Sequence, residues 1–147
     1  VVVDGSTDDE EVRADALRTA TDVRADSHEA QLLVGRELAG VDAVRRAAAD
    51  LVAAGPRLVV LSAGADGDVA AWDGGSVIVP HPDVPPADPT GGGDTFTAAL
   101  AVAVLRRDGP EEVVRWVAAA STLTVQHLGG RPDLGRGAVD GRLARGG

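Results

Sequence analysis

The stretch Leu58-Val59-Val60-Leu61 is apolar without interruption, closed on one side by Gly55-Pro56 and on the other by Ser62-Ala63-Gly64. A strand with no polar face must be covered on both sides, as it is inside a sheet flanked by helices. The neighbouring segments fit that setting. Val1-Val2-Val3 followed by Asp4-Gly5 reads as a short buried strand running into a turn, and its start without lead-in or Met points to a fragment. Thr7 precedes four acidic residues, Asp8 to Glu11, that suit the positive first turn of a helix carrying Val12, Ala16, Leu17 and Ala20. Thr21 to Arg24 is a further short strand, and Ser27 caps a short helix through Glu29, Leu32 and Leu33. Asp42 to Ala54 places Val44, Ala47, Ala48, Leu51 and Val52 at helical spacing before Gly55-Pro56 ends it. Val69 to Trp72 and Val77 to Val79, joined by Asp73-Gly74-Gly75-Ser76, form a hairpin.

Five of the eight prolines crowd between Pro80 and Pro89, which makes this segment a loop, and it leads into Gly91-Gly92-Gly93-Asp94. Thr95 to Arg107 is apolar nearly all round and predicts a buried helix. Pro110, Glu111 and Glu112 start another helix, which runs to about His127 and stops at Gly129-Gly130. After Leu134 the chain is rich in Gly and Arg and predicts a frayed tail. Strands alternating with helices imply an α/β fold with a mainly parallel sheet, with ligands beyond the carboxyl ends of the strands.

Composition narrows the functions open to such a fold. The 147 residues are 44% apolar, enough for one domain with a real core, built mainly from Ala, Val and Leu. A net charge of -9, from 14 basic and 23 acidic residues, argues against nucleic acid and membrane surfaces, which call for clustered positive charge. Every basic residue is Arg, so a phosphate loop ending in Gly-Lys-Ser/Thr is excluded. Without Cys there is no disulfide, thiolate nucleophile or cysteine-ligated metal. No amino-terminal basic region or cleavage site is present, and the expected location is cytoplasmic. His28, His81 and His127 share no metal-ligand spacing and read as surface or loop residues; Trp72 and Trp116 read as core or interface packing.

The strongest chemical signal is Asp88-Pro89-Thr90-Gly91-Gly92-Gly93-Asp94-Thr95-Phe96. Three glycines leading into a helix leave backbone amides bare at its positive end, where an anion can approach closely. Asp94 in the first turn places a proton acceptor beside that anion. Phosphoryl transfer needs this pair: donors that hold the migrating group, and a carboxylate that orients and deprotonates the attacking hydroxyl. On spacing alone the segment reads first as a flexible glycine loop with Asp94 as a helix cap.

The same segment resembles the second signature of the ribokinase-like (PfkB) carbohydrate kinases, Asp-Thr-Thr-Gly-Ala-Gly-Asp-x-Phe. Asp88, Thr90, Gly91, Gly93, Asp94 and Phe96 match, while Pro89 and Gly92 depart from it. Ser62-Ala63-Gly64-Ala65-Asp66-Gly67 resembles the family's ATP-contacting Thr-Leu-Gly-x-x-Gly turn, although alone it is an ordinary strand-to-turn bend. Asp26-Ser27-His28-Glu29 resembles its Asn-x-x-Glu motif with Asp26 replacing Asn, and is otherwise an acidic helix start. The helix ending Gln126-His127-Leu128-Gly129-Gly130-Arg131-Pro132 is similar to the family's adenine-side helix and its exit.

The resemblance implies the carboxy-terminal portion of a ribokinase-like three-layer α/β fold, incomplete and without its lid, over residues 1–135, with 136–147 a disordered tail. It implies an ATP-dependent sugar kinase with Asp94 as base, Gly91, Gly92 and Gly93 as anion hole, and Asp26, Ser62, Gly64, Gly67, Gly93 and Ala118 at the nucleotide. Glu29 is implied at Mg²⁺, and Asp88, Thr90, Thr124, His127, Gly129 and Asp133 at a monovalent cation such as K⁺. The implied partners are a small sugar and a second copy in a homodimer. The competing reading is a truncated, non-catalytic nucleotide-binding or dimerisation remnant of such a kinase. A dinucleotide oxidoreductase is disfavoured because no Gly-x-Gly-x-x-Gly follows a strand.

Overall fold

A computed structural model of the protein describes residues 1–81, 85–106 and 108–145. The chain divides into two compact units, Val1–His81 and Pro82–Gly147. The first contains β1 (Val2–Asp4), α1 (Glu10–Thr19), β2 (Asp22–Ala25), α2 (Ser27–Val34), α3 (Val41–Ala53), β3 (Leu58–Ser62), a 3₁₀ turn at Gly64–Asp66, β4 (Asp68–Trp72) and β5 (Gly75–Val79). The second contains α4 (Gly92–Arg106), α5 (Pro110–Val125) and α6 (Arg136–Arg145).

In the first unit the five strands lie in the order β1-β2-β3-β4-β5. The sheet is mixed. The parallel pairing expected from the alternation of strands and helices is confined to β1, β2 and β3, and the hairpin adds β4 and β5 antiparallel. The hairpin register pairs Trp72 with Gly75, so Asp73-Gly74 is the whole turn. A Cβ at Gly75 would lie 2.9 Å from the Trp72 indole, which folds back over that turn. The β3 run is buried along Leu58 to Leu61, as a strand without a polar face requires. One face of the sheet carries Val23, Ala25, Val59, Leu61, Val69 and Ala71, which pack with Ala30 and Leu33 of α2 and Val44, Ala47, Ala48 and Leu51 of α3. The many Ala contacts let helix and strand backbones approach closely. β1 lies at the sheet edge and is only half-buried, and α1 is capped by Asp9 rather than Thr7.

In the second unit α4 packs along α5 through Phe96, Ala99, Leu100 and Ala103 on one side and Val113, Val117 and Ala120 on the other. Two findings correct the sequence expectation. First, α4 is not buried all round: Ala98, Ala101, Val102 and Leu105, spaced as one helical stripe, are exposed. Second, residues 136–145 are not a frayed tail but form α6. Val139, 3% exposed, and a 2.8 Å hydrogen bond from Trp116 Nε1 to Asp140 Oδ1 hold this helix to α5. One apolar anchor and one indole hydrogen bond supply what the composition of the segment does not. The expected proline-rich loop falls partly, at 82–84, outside the described residues, as do Arg107 and the last two residues of the tail.

Candidate functional site

The glycine segment does not precede its helix; it begins it. α4 starts at Gly92, three residues before the predicted Thr95, because a bare Cα at Gly92 fits against α5. A Cβ there would lie 2.7 Å from Val125 Cγ1, and Ser121 Oγ donates to the Gly92 carbonyl at 3.0 Å. Gly92, Gly93 and Asp94 thus form the first turn, whose amides have no carbonyl one turn back within the helix. Of these, the Gly92 amide reaches Pro89 O at 3.4 Å, and Thr95 N donates to Gly91 O at 2.9 Å, which closes the first helical ring. Asp94 is exposed and lines a cavity of about 710 Å³ together with Thr90, Gly91, Thr95, Gly129 and Gly130. The far wall of that cavity is apolar, with Ala98, Val102, Trp116 and Val139.

The shape of the cavity mouth depends on two loops meeting backbone to backbone. Gly91 has φ +76°, and a Cβ on it would lie 2.4 Å from Gly130 O; Gly130 has φ +64°, and its Cβ would lie 2.5 Å from Thr90 O. Asp88 ties the same loops. Its Oδ1 accepts from Thr90 N at 2.9 Å and its Oδ2 from Gly129 N at 3.0 Å, while its own amide donates to Val125 O at 3.0 Å. Hydrogen bonds from the Thr90 side chain, then the Thr90 amide, then the Gly129 amide hold its carboxyl below the ordinary carboxylate range. Thr124, fully buried, bonds Thr95 Oγ1 at 3.0 Å, and His127 N returns to Thr124 O at 3.0 Å.

Of the residues implied at a monovalent cation, the structure therefore gathers Asp88, Thr90 and Gly129 around one bend, which adjoins the Thr124–His127 turn. Both Asp88 oxygens already accept amides, and Asp133 is exposed and does not line the cavity. Ala118 is half-buried on α5 and also lies outside the lining.

In the first unit, Asp26 and Glu29 make a capping box. Asp26 Oδ1 accepts from the amides of His28 and Glu29, and Glu29 Oε2 accepts from Asp26 N, each at 2.8 Å. Asp26, not Ser27, is the cap. This leaves Asp26 Oδ2 and Glu29 Oε1 as oxygens available to a cation; Mg²⁺ is commonly held by one or two carboxylates plus substrate phosphates, so the pair fits it in number. Among the described residues no group of three acidic or imidazole side chains converges on a metal position. Ser62 and Gly64 border a cavity of about 130 Å³ together with Ser27 and Gln31, so the turn after β3 and the start of α2 share one recess. Gly67 serves the fold: at φ +103°, a Cβ on it would lie 2.3 Å from Val79 O. Of the histidines, His81 stands 3.9 Å from Asp68, whose neighbouring carboxylate raises its pKa above the usual imidazole value.

Sequence reasoning did not foresee the contacts that Gly130, Ser121 and Thr95 make around this bend. Gly129-Gly130 read as a helix stop, and nothing local reveals that the second glycine is needed for contact with Thr90.

A carboxylate at the mouth of a cavity, beside the amide-bearing start of a helix, is equipment for group transfer involving an anion. The chain matches the model of the pfkB family carbohydrate kinases over residues 1–134 and belongs to that family. It is 47% identical over 57 residues to a ribokinase of Arabidopsis thaliana, a match covering 39% of this chain and 14% of the relative. Among solved structures, phosphofructokinase-2 from Escherichia coli in complex with potassium superposes with a TM-score of 0.84 at 28% identity, covering 98% of this chain and 46% of that one. Arabidopsis thaliana ribokinase complexed with ribose and ATP gives 0.81 at 30% identity, covering 97% and 47%. The fold is therefore the ribokinase-like α/β fold, and the chain spans about half the length of these solved relatives.

Proposed function

We propose that this chain carries the phosphoryl-transfer end of an ATP-dependent carbohydrate kinase, with Asp94 as the general base. The observation that supports it most is the placing of Asp94 and Gly91 on one cavity at the start of α4. An acceptor hydroxyl entering that cavity gives its proton to the Asp94 carboxylate. As the bond from the γ-phosphorus to the leaving ADP oxygen breaks, a new bond forms to the acceptor oxygen, and the Gly91–Gly93 turn faces the charge that travels between them. Mg²⁺, when bound, neutralises nucleotide phosphate charge; Glu29 and Asp26 are the residues that would hold it, directly or through water. Asp88 and Gly129 keep the turn in shape, and a monovalent cation beside them would act on the same bend. ATP as donor is supported by the ribokinase relative, which is complexed with it.

A second reading follows from length. Because the chain spans 46% of phosphofructokinase-2, the 147 residues alone would bind nucleotide without turnover. The test is Asp94→Asn in the gene product that carries this chain. Removing a positioned base should lower kcat by about 10²–10⁴-fold while ATP affinity, measured by titration calorimetry, stays unchanged. Full turnover in that variant refutes the assignment.

A further inference from the structure

We infer that Ser121 and Thr124 of α5 are positioning residues: their hydroxyls fix the first turn of α4 and, through it, the carboxylate of Asp94. This rests on the kinase reading above and deepens it, because it says what sets the place of the base. Asp94 is exposed, and its side chain has no hydrogen bond or ion pair among the described residues. Its place therefore follows from the backbone turn that carries it. Two hydroxyls hold that turn from outside. Ser121 Oγ donates to the Gly92 carbonyl at 3.0 Å, two residues before Asp94. Thr124 Oγ1 bonds Thr95 Oγ1 at 3.0 Å, one residue after it. Ser121 and Thr124 stand three apart on α5, so they share one face and hold the base from both sides.

The order of the protons follows from the geometry. Thr124 is fully buried, where a hydroxyl is costly unless bonded. It has one proton and two neighbours, Thr95 Oγ1 at 3.0 Å and the Ala120 carbonyl at 3.3 Å. A carbonyl only accepts, so both bonds form together when Thr124 donates to Ala120 and accepts from Thr95. The bond to Ala120 alone is what a threonine inside a helix ordinarily makes, and it would satisfy the hydroxyl. The bond to Thr95 is additional, and it joins two helices beside the base. Further along, α4 and α5 meet through apolar side chains such as Leu100 and Val117, and apolar attraction has no direction. That packing holds the helices together, while the two hydroxyl bonds select one arrangement of the first turn. Turnover is the property most exposed to their loss, since misplacing a reacting group by about 1 Å can cost roughly a hundredfold in rate.

The test compares Thr124→Val, which keeps the shape and removes the hydroxyl, with Thr124→Ser, which keeps the hydroxyl and drops the methyl. ADP formation from ATP by the gene product carrying this chain is followed with ribose, fructose and fructose 6-phosphate as acceptors. Thr124→Val and Ser121→Ala should each lower kcat by about tenfold to a hundredfold, with KM for ATP unchanged to within about twofold. Thr124→Ser should recover most of the loss. Val117→Ala, two turns away on α5, thins the same helix contact without touching the first turn of α4; it should lower the melting temperature and keep kcat. Hydrogen exchange gives a readout that needs no turnover. The amides of residues 93–96 should exchange faster in Thr124→Val than in Val117→Ala, and this carries the test if none of the three acceptors is used. Full kcat in Thr124→Val, no recovery in Thr124→Ser, an equal fall in Val117→Ala, or unchanged exchange at the start of α4 overturns the inference. If Thr124→Val loses its circular-dichroism spectrum, Ser121→Ala is compared with Val117→Ala in the same measurements. Failure here is separable from failure of the kinase reading. Full turnover in Thr124→Val beside a loss in Asp94→Asn keeps the base and discards its positioning, whereas full turnover in Asp94→Asn discards the base and the positioning with it.

Discussion

Replacing Gly91 by Ala tests whether close backbone contact between the two loops holds the site together. Two costs are separable in the structure. The added methyl must adopt φ +76°, which costs an L residue about 1 kcal/mol. It would also lie 2.4 Å from Gly130 O, a backbone atom that cannot rotate away, so the loops must part by roughly 1 Å to reach an ordinary contact distance. Together these predict a loss of about 2–4 kcal/mol. Two other glycines serve as internal standards. Gly129 has φ +87° with nothing within 4 Å, so Gly129→Ala should cost only the conformational part, about 1 kcal/mol. Gly135 has neither a positive φ nor a neighbour within 4 Å, and Gly135→Ala should be neutral to within about 0.5 kcal/mol. Urea unfolding followed by circular dichroism ranks the three. Were Gly91→Ala to match Gly135→Ala, the claim that the loops meet backbone to backbone would be refuted; were it to match Gly129→Ala, the conformational cost would stand and the contact would not.

Two further outcomes follow from the second unit. Asp88 has its folded pKa depressed, so its contribution to stability is present above the ordinary carboxylate pKa and is lost as pH falls through the lowered folded value. Asp88→Asn should therefore flatten the acid limb of a stability–pH profile while changing its neutral region by less than Gly91→Ala does; an unchanged acid limb would show that Asp88 does not tie the loops. Trp116→Phe keeps an aromatic side chain but removes the pyrrole ring and its donor to Asp140, and should destabilise the docking of α6 by about 1–3 kcal/mol, the lost hydrogen bond plus the lost packing of a buried side chain. Hydrogen exchange should then accelerate in α6 and leave α3 unchanged, and equal protection in α6 would mean that Val139 alone anchors it.

Local features carried much of the architecture. The uninterrupted Leu58–Leu61 run implied a strand covered on both faces, the spacing from Val44 to Val52 a helix with one buried side, and Asp73-Gly74-Gly75-Ser76 the link of a hairpin, which the register shortens to Asp73-Gly74. These are legible because periodicity and turn chemistry act over a few residues. The motif from Asp88 to Phe96 likewise pointed to Asp94 in the first turn of a helix, since a run of glycines before an apolar segment is a local signal.

What the local pattern did not contain was every contact made across tens of residues. That α4 begins at Gly92 depends on Val125 and Ser121 leaving space only for a Cα. That Gly130 is part of the site depends on Thr90 touching it, and that 136–145 is a helix depends on Trp116 finding Asp140. The sequence by itself determined the strands and helices of the first unit, the existence of α4 and α5, and the place of Asp94 in the first turn of α4. Only the tertiary structure decided how the two glycine loops close on each other and that Trp116 and Val139 share a cavity with Asp94, because steric exclusion and packing act between atoms that meet only after the chain has folded.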